Sequence, residues 1–399
     1  MVELPPVVCI SNAEWDAPIP TNRQQIMRRF AQRTQVAYIE SPLPVIGSVI
    51  GRSRGRARHH GWREADGVRV FQTWDWLPYP LTKRSLSLSR LMDAQFSGAV
   101  KQAWRELGWP RPIAWFYAPD SGDLLGAFGE RLSVYHCVDD YEAAERYNGY
   151  RRVAQYSERK AERYLARAVD QIIVTTPGLL ARWREMNSHI KLMPNVADTA
   201  LFAQALSDGP DHPRLAGVPM PRVVFIGALD RYKVDTALLG AVARLLPDIQ
   251  FILIGPVGSA DQTRRANLPQ GANIHYLGHL PQSELPDALR YASVGIIPYA
   301  LNEYTASVSP LKLYEYLAAG LPVVATPLPG LLANPAEGAL IAEPEAAAFT
   351  VRLVEALEYS VRARSALAQS AAAQSWERQV ADLETLLAQR LAVGEAEDT

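Results

Sequence analysis

Residues 302–329 read NEYTASVSPLKLYEYLAAGLPVVATPLP, and the signals in this stretch set the pattern for the rest of the chain. The small-residue loop TASVS leads into Ser309 and Pro310, residue types favoured at a helix N-cap and first turn, so a helix is expected to start there. Its free N–H groups would face the loop and favour an anion, and Lys312 in the first turn adds a positive charge. Glu315 follows on the same helical face. A carboxylate repels phosphate, so its presence points to a ligand that also carries vicinal hydroxyls. A ribose fits, since one carboxylate accepts both hydroxyl hydrogens. An apolar strand, 322–325, comes next, and the turn at 325–330 reads as wall.

The same rhythm of apolar run, loop and helix recurs along the chain, as in parallel sheets covered by helices. Runs stand at 222–226, 250–254, 273–277 and 293–298, with a weaker one at 339–341. An earlier series comprises 7–11, 36–39, 68–71, 113–117, 133–138 and 171–175, with helices at 21–32 and 156–169. Between the two series, KLMPNVA (191–197) is broken by Pro194 and Asn195, and 207–221 is rich in Pro, Gly and Asp. The expected architecture is α/β, with two Rossmann-like doubly wound domains, 1–197 and 198–372, facing across a cleft. A helix over 373–391 is expected to return to the first domain, and 392–399 to form a disordered tail.

Lys plus Arg number 41 against 42 Asp plus Glu, which leaves no basic field for nucleic acid. The hydrophobic fraction of 48% and charged fraction of 21% exclude disorder or coiled coil as the main theme. Cys9 and Cys137 lie in apolar runs without spaced Cys or His partners, so neither a disulfide scaffold nor a metal site is expected. The opening segment has no basic n-region, and no uncharged apolar run approaches the ~18 residues of a membrane span. A cytoplasmic protein is expected, soluble or peripheral at the inner face of the plasma membrane.

In open parallel sheets, ligands bind beyond the carboxyl ends of the strands. After 222–226 come Gly227, Ala228, Arg231 and Lys233. The glycine admits a ligand to the backbone and the cations can neutralise phosphate, although such cations also serve as plain solvent-facing surface. The glycines after 250–254 are too closely spaced for the dinucleotide fingerprint. GxGxxG is absent, which removes the main signature of a nicotinamide dehydrogenase.

In the first series Asp16, Asp120, Asp139 and Asp140 are candidate bases for a hydroxyl proton, with Asp139 favoured. Capping of a helix from Tyr141 onward is the other reading of the adjacent pair. His136 reads as catalytic or as a buried structural histidine. Trp74, Trp76, Tyr79, Trp115 and Tyr117 make either a sugar platform or core. Arg23 opens the first helix, on the acceptor side. The stretch GRSRGRARHHGWR (51–63) sets Arg52, Arg54, Arg56, Arg58 and Arg63 beside Trp62 in one loop, either solvated or in contact with an anionic membrane surface or phosphate.

The run PLKLYEYLAAGLPVVATPLPG, with MPNVAD at the junction, VFIGALDRYK after it and NIHYLGHLPQSELPDALRYASVGIIPY, resembles the carboxy-terminal domain of GT-B glycosyltransferases of the family 4 type (group 1). Order and spacing match across residues 190–345. The amino-terminal half, with SNAEWDAPIPTNRQQ and VYHCVDDYE, resembles bacterial envelope-polysaccharide transferases of teichuronic-acid and xanthan type. The resemblance implies a metal-independent glycosyltransferase that moves a sugar from a nucleotide diphosphate sugar, UDP or GDP, to a lipid-linked or growing polysaccharide acceptor in cell-envelope or exopolysaccharide synthesis. It implies that Lys233 and Lys312 meet the donor diphosphate and that Glu315 holds the ribose. Gly227, Arg231, Ser309 and Asn195 are the other donor-site candidates. Two positions depart from the family pattern. Ala228 stands where the family has Arg, with Arg231 as its substitute in space, and Ser307 stands where an earlier Glu faces the donor sugar. A nucleotide-sugar epimerase of the same fold, or a noncatalytic nucleotide-sugar-binding subunit, is the alternative.

Overall fold

The computed structural model describes residues 4–11, 13–17, 20–44, 60–75, 86–143, 152–256 and 268–397. The chain divides into two compact units. The first comprises Met1–Thr175, Leu179–Met193 and Val380–Thr399, and the second comprises Thr176–Gly178 and Pro194–Gln379.

The first unit has strands β1 (Val7–Ile10), β2 (Val36–Ile39), β3 (Leu43–Pro44), β4 (Gly61–Ala65), β5 (Val68–Gln72), β6 (Trp74–Asp75), β7 (Ile113–Phe116), β8 (Leu132–Cys137), β9 (Gln171–Val174) and β10 (Ile190–Leu192). Eight of them form one sheet in the order β10-β9-β8-β7-β1-β2-β5-β4, while β3 and β6 pair separately. The sheet is parallel apart from the β4–β5 hairpin. Because side chains alternate along a strand, its two faces differ in chemistry. Val8, Ile10, Phe116, Tyr135 and Cys137 join the core that includes Val100, Trp104 and Leu165 of the helices Leu86–Leu107 and Arg152–Ala168. Cys9, Tyr38, Trp115, Tyr117 and His136 alternate with these, all buried, and Trp115 packs edge-on against Phe30 of the helix Asn22–Phe30.

Strand β4 occupies residues read above as loop. Asp66 and Gly67 take positive φ values of 52° and 76°, the left-handed conformation of a tight hairpin, and fold β4 antiparallel onto β5. The last helix runs from Trp376 to Glu397 and so continues past Leu391 through residues expected to form a tail, where Ala and Glu favour helix. Leu383 and Leu387 are buried, Arg33 pairs with Glu384, and Arg390 donates to the Asp170 carbonyl at 3.0 Å.

The second unit has β11 (Arg222–Ile226), β12 (Gln250–Ile254), β13 (Ile274–Gly278), β14 (Val294–Ile297), β15 (Val323–Ala325) and β16 (Ala339–Ile341). Their order is β13-β12-β11-β14-β15-β16, parallel throughout. This is the doubly wound order, with its reversal between β11 and β14, the place where such sheets bind ligands. β11, β12 and β14 are buried along their whole length, which is why they read in the sequence as unbroken apolar runs.

Candidate functional site

At the carboxyl ends of the second sheet, backbones meet closely. The Gly227 N–H donates to the Ile254 carbonyl at 2.9 Å, and the Gly255 N–H to that of Gly278 at 2.8 Å. A Cβ on Gly255 would lie 2.1 Å from the Gly227 carbonyl oxygen, so only glycine fits. The loop after Gly227 turns on Asp230, whose carbonyl accepts from Lys233 and Val234, and Asp235 caps the helix Thr236–Leu245 by accepting from the Leu238 N–H at 2.8 Å. Lys233 Nζ stands 5.1 Å from the centre of the Tyr299 ring. Arg231 is exposed in the same turn.

This loop is bound to the one after β14. The Ala300 N–H donates to the Lys233 carbonyl at 3.0 Å, Asn302 Nδ2 to the Tyr232 carbonyl at 2.7 Å, and the Asp235 N–H to the Pro298 carbonyl at 2.8 Å. The segment carrying Lys233 and the segment leading to Lys312 therefore form one framework.

The helix there runs from Lys312 to Ala318, two residues later than an N-cap at Ser309 predicts, with Leu311 at the N-cap and no side chain capping it. Ser309 instead meets Asn195. Its hydroxyl oxygen accepts from the Asn195 N–H at 3.2 Å, and its carbonyl accepts from Asn195 Nδ2 at 3.0 Å. Lys312 Nζ pairs with the Glu315 carboxylate, and Glu315 is buried. Ser307 lies buried in the short 3-10 turn Thr305–Ser307.

Tyr316 escaped the sequence reading, yet it fixes this framework. Its hydroxyl oxygen accepts from the Ile226 N–H at 2.7 Å, one residue before Gly227. Its ring lies against Gly295, where a Cβ would stand 2.4 Å from the ring. A glycine inside an otherwise apolar strand was the available signal.

In the first unit, Arg23 is buried. It donates from Nη2 to the Tyr141 hydroxyl at 3.1 Å and lies 5.3 Å over the Tyr117 ring. Asp139 attracts it electrostatically. His136 stacks on Tyr117 at 4.9 Å, and burial, reinforced by the Arg23 charge, pushes its imidazole down to about 3. The neutral imidazole is therefore the form expected at physiological pH.

Asp140 is tied into the first unit by two contacts. It accepts from the Ala143 N–H at 3.0 Å, as a cap does, and from Arg182 at 2.6 Å. Arg182 also reaches Glu142 at 3.2 Å and Glu162 at 3.4 Å. Glu162 accepts from the Tyr135 hydroxyl at 2.7 Å, and burial raises its carboxyl from 4.5 to about 7. A carboxyl that holds its proton more tightly when folded favours the folded state at low pH. That contribution is complete below about 4.5 and lost as the pH climbs through about 7. Glu162→Gln has no proton to lose, so between pH 4.5 and 8 its stability relative to wild type should rise by roughly 3 kcal/mol. Urea titrations of both proteins at several pH values check this, and parallel pH profiles would refute it.

Asp16 is paired with Arg63 at 2.9 Å, and Arg63 also reaches the buried Glu40 at 3.2 Å. Trp62, read above as part of the arginine-rich loop, sits on β4 with its ring 5.1 Å from Phe71, packed against the core. Strand alternation turns it inward. Arg52, Arg54, Arg56 and Arg58, with Trp76 and Tyr79, lie outside the described residues. No described helix is long and apolar enough to cross a membrane.

Residues 220–359 match the family described as Glycosyl transferases group 1. Among solved structures, sucrose-phosphate synthase from Thermosynechococcus elongatus superposes with a TM-score of 0.71 at 19% identity, covering 98% of this chain and 100% of the other. HepE from Anabaena, solved in complex with UDP and glucose, gives 0.65 at 14% identity over 96% and 99% of the two chains. A trehalose-phosphate synthase from Burkholderia xenovorans in complex with glucose-6-phosphate gives 0.71 at 14% over 97% and 100%. No curated protein sequence matches. The fold is GT-B, and the family match spans β11 to β16 of the second unit.

Proposed function

We propose that the protein transfers a glycosyl group from a UDP-sugar to a hydroxyl of a glycan acceptor held by its first unit. The observation that carries the donor half is the Lys312–Glu315 pair at an uncapped helix start, tied through Asn302 and Ala300 to the Lys233 loop. In this reading Lys312 and Lys233 take the diphosphate, and Arg231 adds charge at the rim. They stabilise the negative charge that grows on the leaving oxygen, while Glu315 accepts from the ribose hydroxyls. Gly227 and Gly255 leave the backbone bare beneath the ligand, and Ser309 and Asn195 hold the approach to the helix.

The choice of UDP is supported by HepE, which was solved with UDP. Asp139 is the carboxylate assigned to the acceptor hydroxyl. The resemblance of the amino-terminal half to envelope-polysaccharide transferases supports a growing or lipid-linked glycan as acceptor. Membrane docking through Trp62 forms no part of this reading, because its half-buried ring packs against the core. Calorimetry with UDP, GDP, ADP and dTDP tests the donor half. UDP should bind most tightly and Lys312→Ala should weaken it, and failure of all four to bind would sink the assignment.

A further inference from the structure

Four buried polar groups of the first unit share one place and lack hydrogen-bond partners: Arg23 Nε, Trp115 Nε1, the Tyr117 hydroxyl and both ring nitrogens of His136. They come from the start of the helix Asn22–Phe30, from β7 and the residue after it, and from β8. This is the carboxyl-end region where parallel sheets take ligands. The rings form one stack, with His136 4.9 Å from Tyr117 and 5.7 Å from Trp115, and the Arg23 guanidinium 5.3 Å over Tyr117.

Chemistry decides what such a cluster would hold. Arginine and indole nitrogens only donate, a neutral imidazole donates once, and the Tyr117 hydroxyl hydrogen has no acceptor. The Tyr141 hydroxyl is already engaged, accepting from Arg23 and donating to the Tyr117 carbonyl at 3.2 Å. Arg23 thus brings a buried positive charge whose Nη2 bond goes to a neutral hydroxyl, and Asp139 is the carboxylate that attracts it. Buried donors without acceptors are costly, and an anion relieves several of them together.

We propose that Arg23, Tyr117 and His136 form an anion-recognition subsite, so that the acceptor is a sugar bearing a phosphate or carboxylate group rather than a neutral one. This rests on the reading of the first unit as the acceptor-binding half. Tyr117→Phe is the informative variant, because it removes a hydroxyl whose hydrogen has no acceptor in the free protein and should change the melting temperature little.

The test is calorimetry of the wild type and Tyr117→Phe with glucose, glucose 6-phosphate and glucuronate, each with and without saturating UDP. One charged sugar at least should bind wild type about tenfold more tightly than glucose, and Tyr117→Phe should lose about tenfold for that sugar while keeping its affinity for UDP. Preference for glucose 6-phosphate identifies a phosphate as the anion, and preference for glucuronate a carboxylate. No preference for either, including no binding of any of the three sugars, overturns the proposal, as does an unchanged affinity in Tyr117→Phe. UDP binding measured in the same cell separates that failure from failure of the donor assignment.

Discussion

Glu315→Ala should weaken UDP binding about 10- to 100-fold, the equivalent of ~1.5–3 kcal/mol for lost hydrogen bonds to a charged acceptor. Two effects oppose each other in this variant. The ribose hydroxyls lose their acceptor, but Lys312 loses the carboxylate that neutralises it in the free protein and becomes a stronger partner for phosphate. Pyrophosphate, which has no ribose, reports the second effect alone. Its affinity for Glu315→Ala should hold or rise while that of UDP falls. Lys312 lies in the first helical turn, where the N–H groups already favour an anion, so freeing it adds to an existing attraction rather than creating one. The ribose contact is the larger of the two because Glu315 is buried, and its bonds are little weakened by competing water. Equal losses for UDP and pyrophosphate would show that Glu315 acts by holding Lys312 in place and not by touching the ribose.

The second unit was the more legible in sequence. Arg222–Ile226 and Gln250–Ile254 have the bounds their apolar runs predict, since a strand covered on both faces shows no polar alternation to blur its ends. Sequence reading failed where long-range partners decide. Ser309 has the chemistry of an N-cap, but its hydroxyl meets Asn195, which lies 114 residues away, and the helix begins at Lys312 instead. The β4 strand was hidden at the end of the arginine-rich stretch 51–63. The period of two, with Trp62 turned to Phe71 and Arg63 to Asp16 and Glu40, is visible only beside the Asp66–Gly67 turn. His136 is the clearest case. Its strand was legible, but its charge state is set by burial, reinforced by Arg23, which approaches from a helix more than a hundred residues earlier.

Gly255→Ala should be the most damaging single substitution in the donor unit, destabilising it by about 3–5 kcal/mol. The new Cβ would lie 2.1 Å from the Gly227 carbonyl oxygen and 2.7 Å from its carbon, both backbone atoms that no rotamer change can move aside. Relief requires β11 and β12 to part at their carboxyl ends. That breaks the bond from Gly227 to Ile254 and displaces the loop that carries Lys233. Gly217→Ala is the control. It also has a positive φ, 82°, but nothing lies within 4 Å of its Cβ, so it should cost only the strain of the left-handed backbone, about 1–2 kcal/mol. Urea denaturation of the two variants separates the close approach from the dihedral. UDP titration below the unfolding transition should show affinity lost in Gly255→Ala and kept in Gly217→Ala. Matching urea midpoints for the two would mean that the strand ends yield to the extra methyl, and that the contact between Gly227 and Gly255 does not hold the donor loop in place.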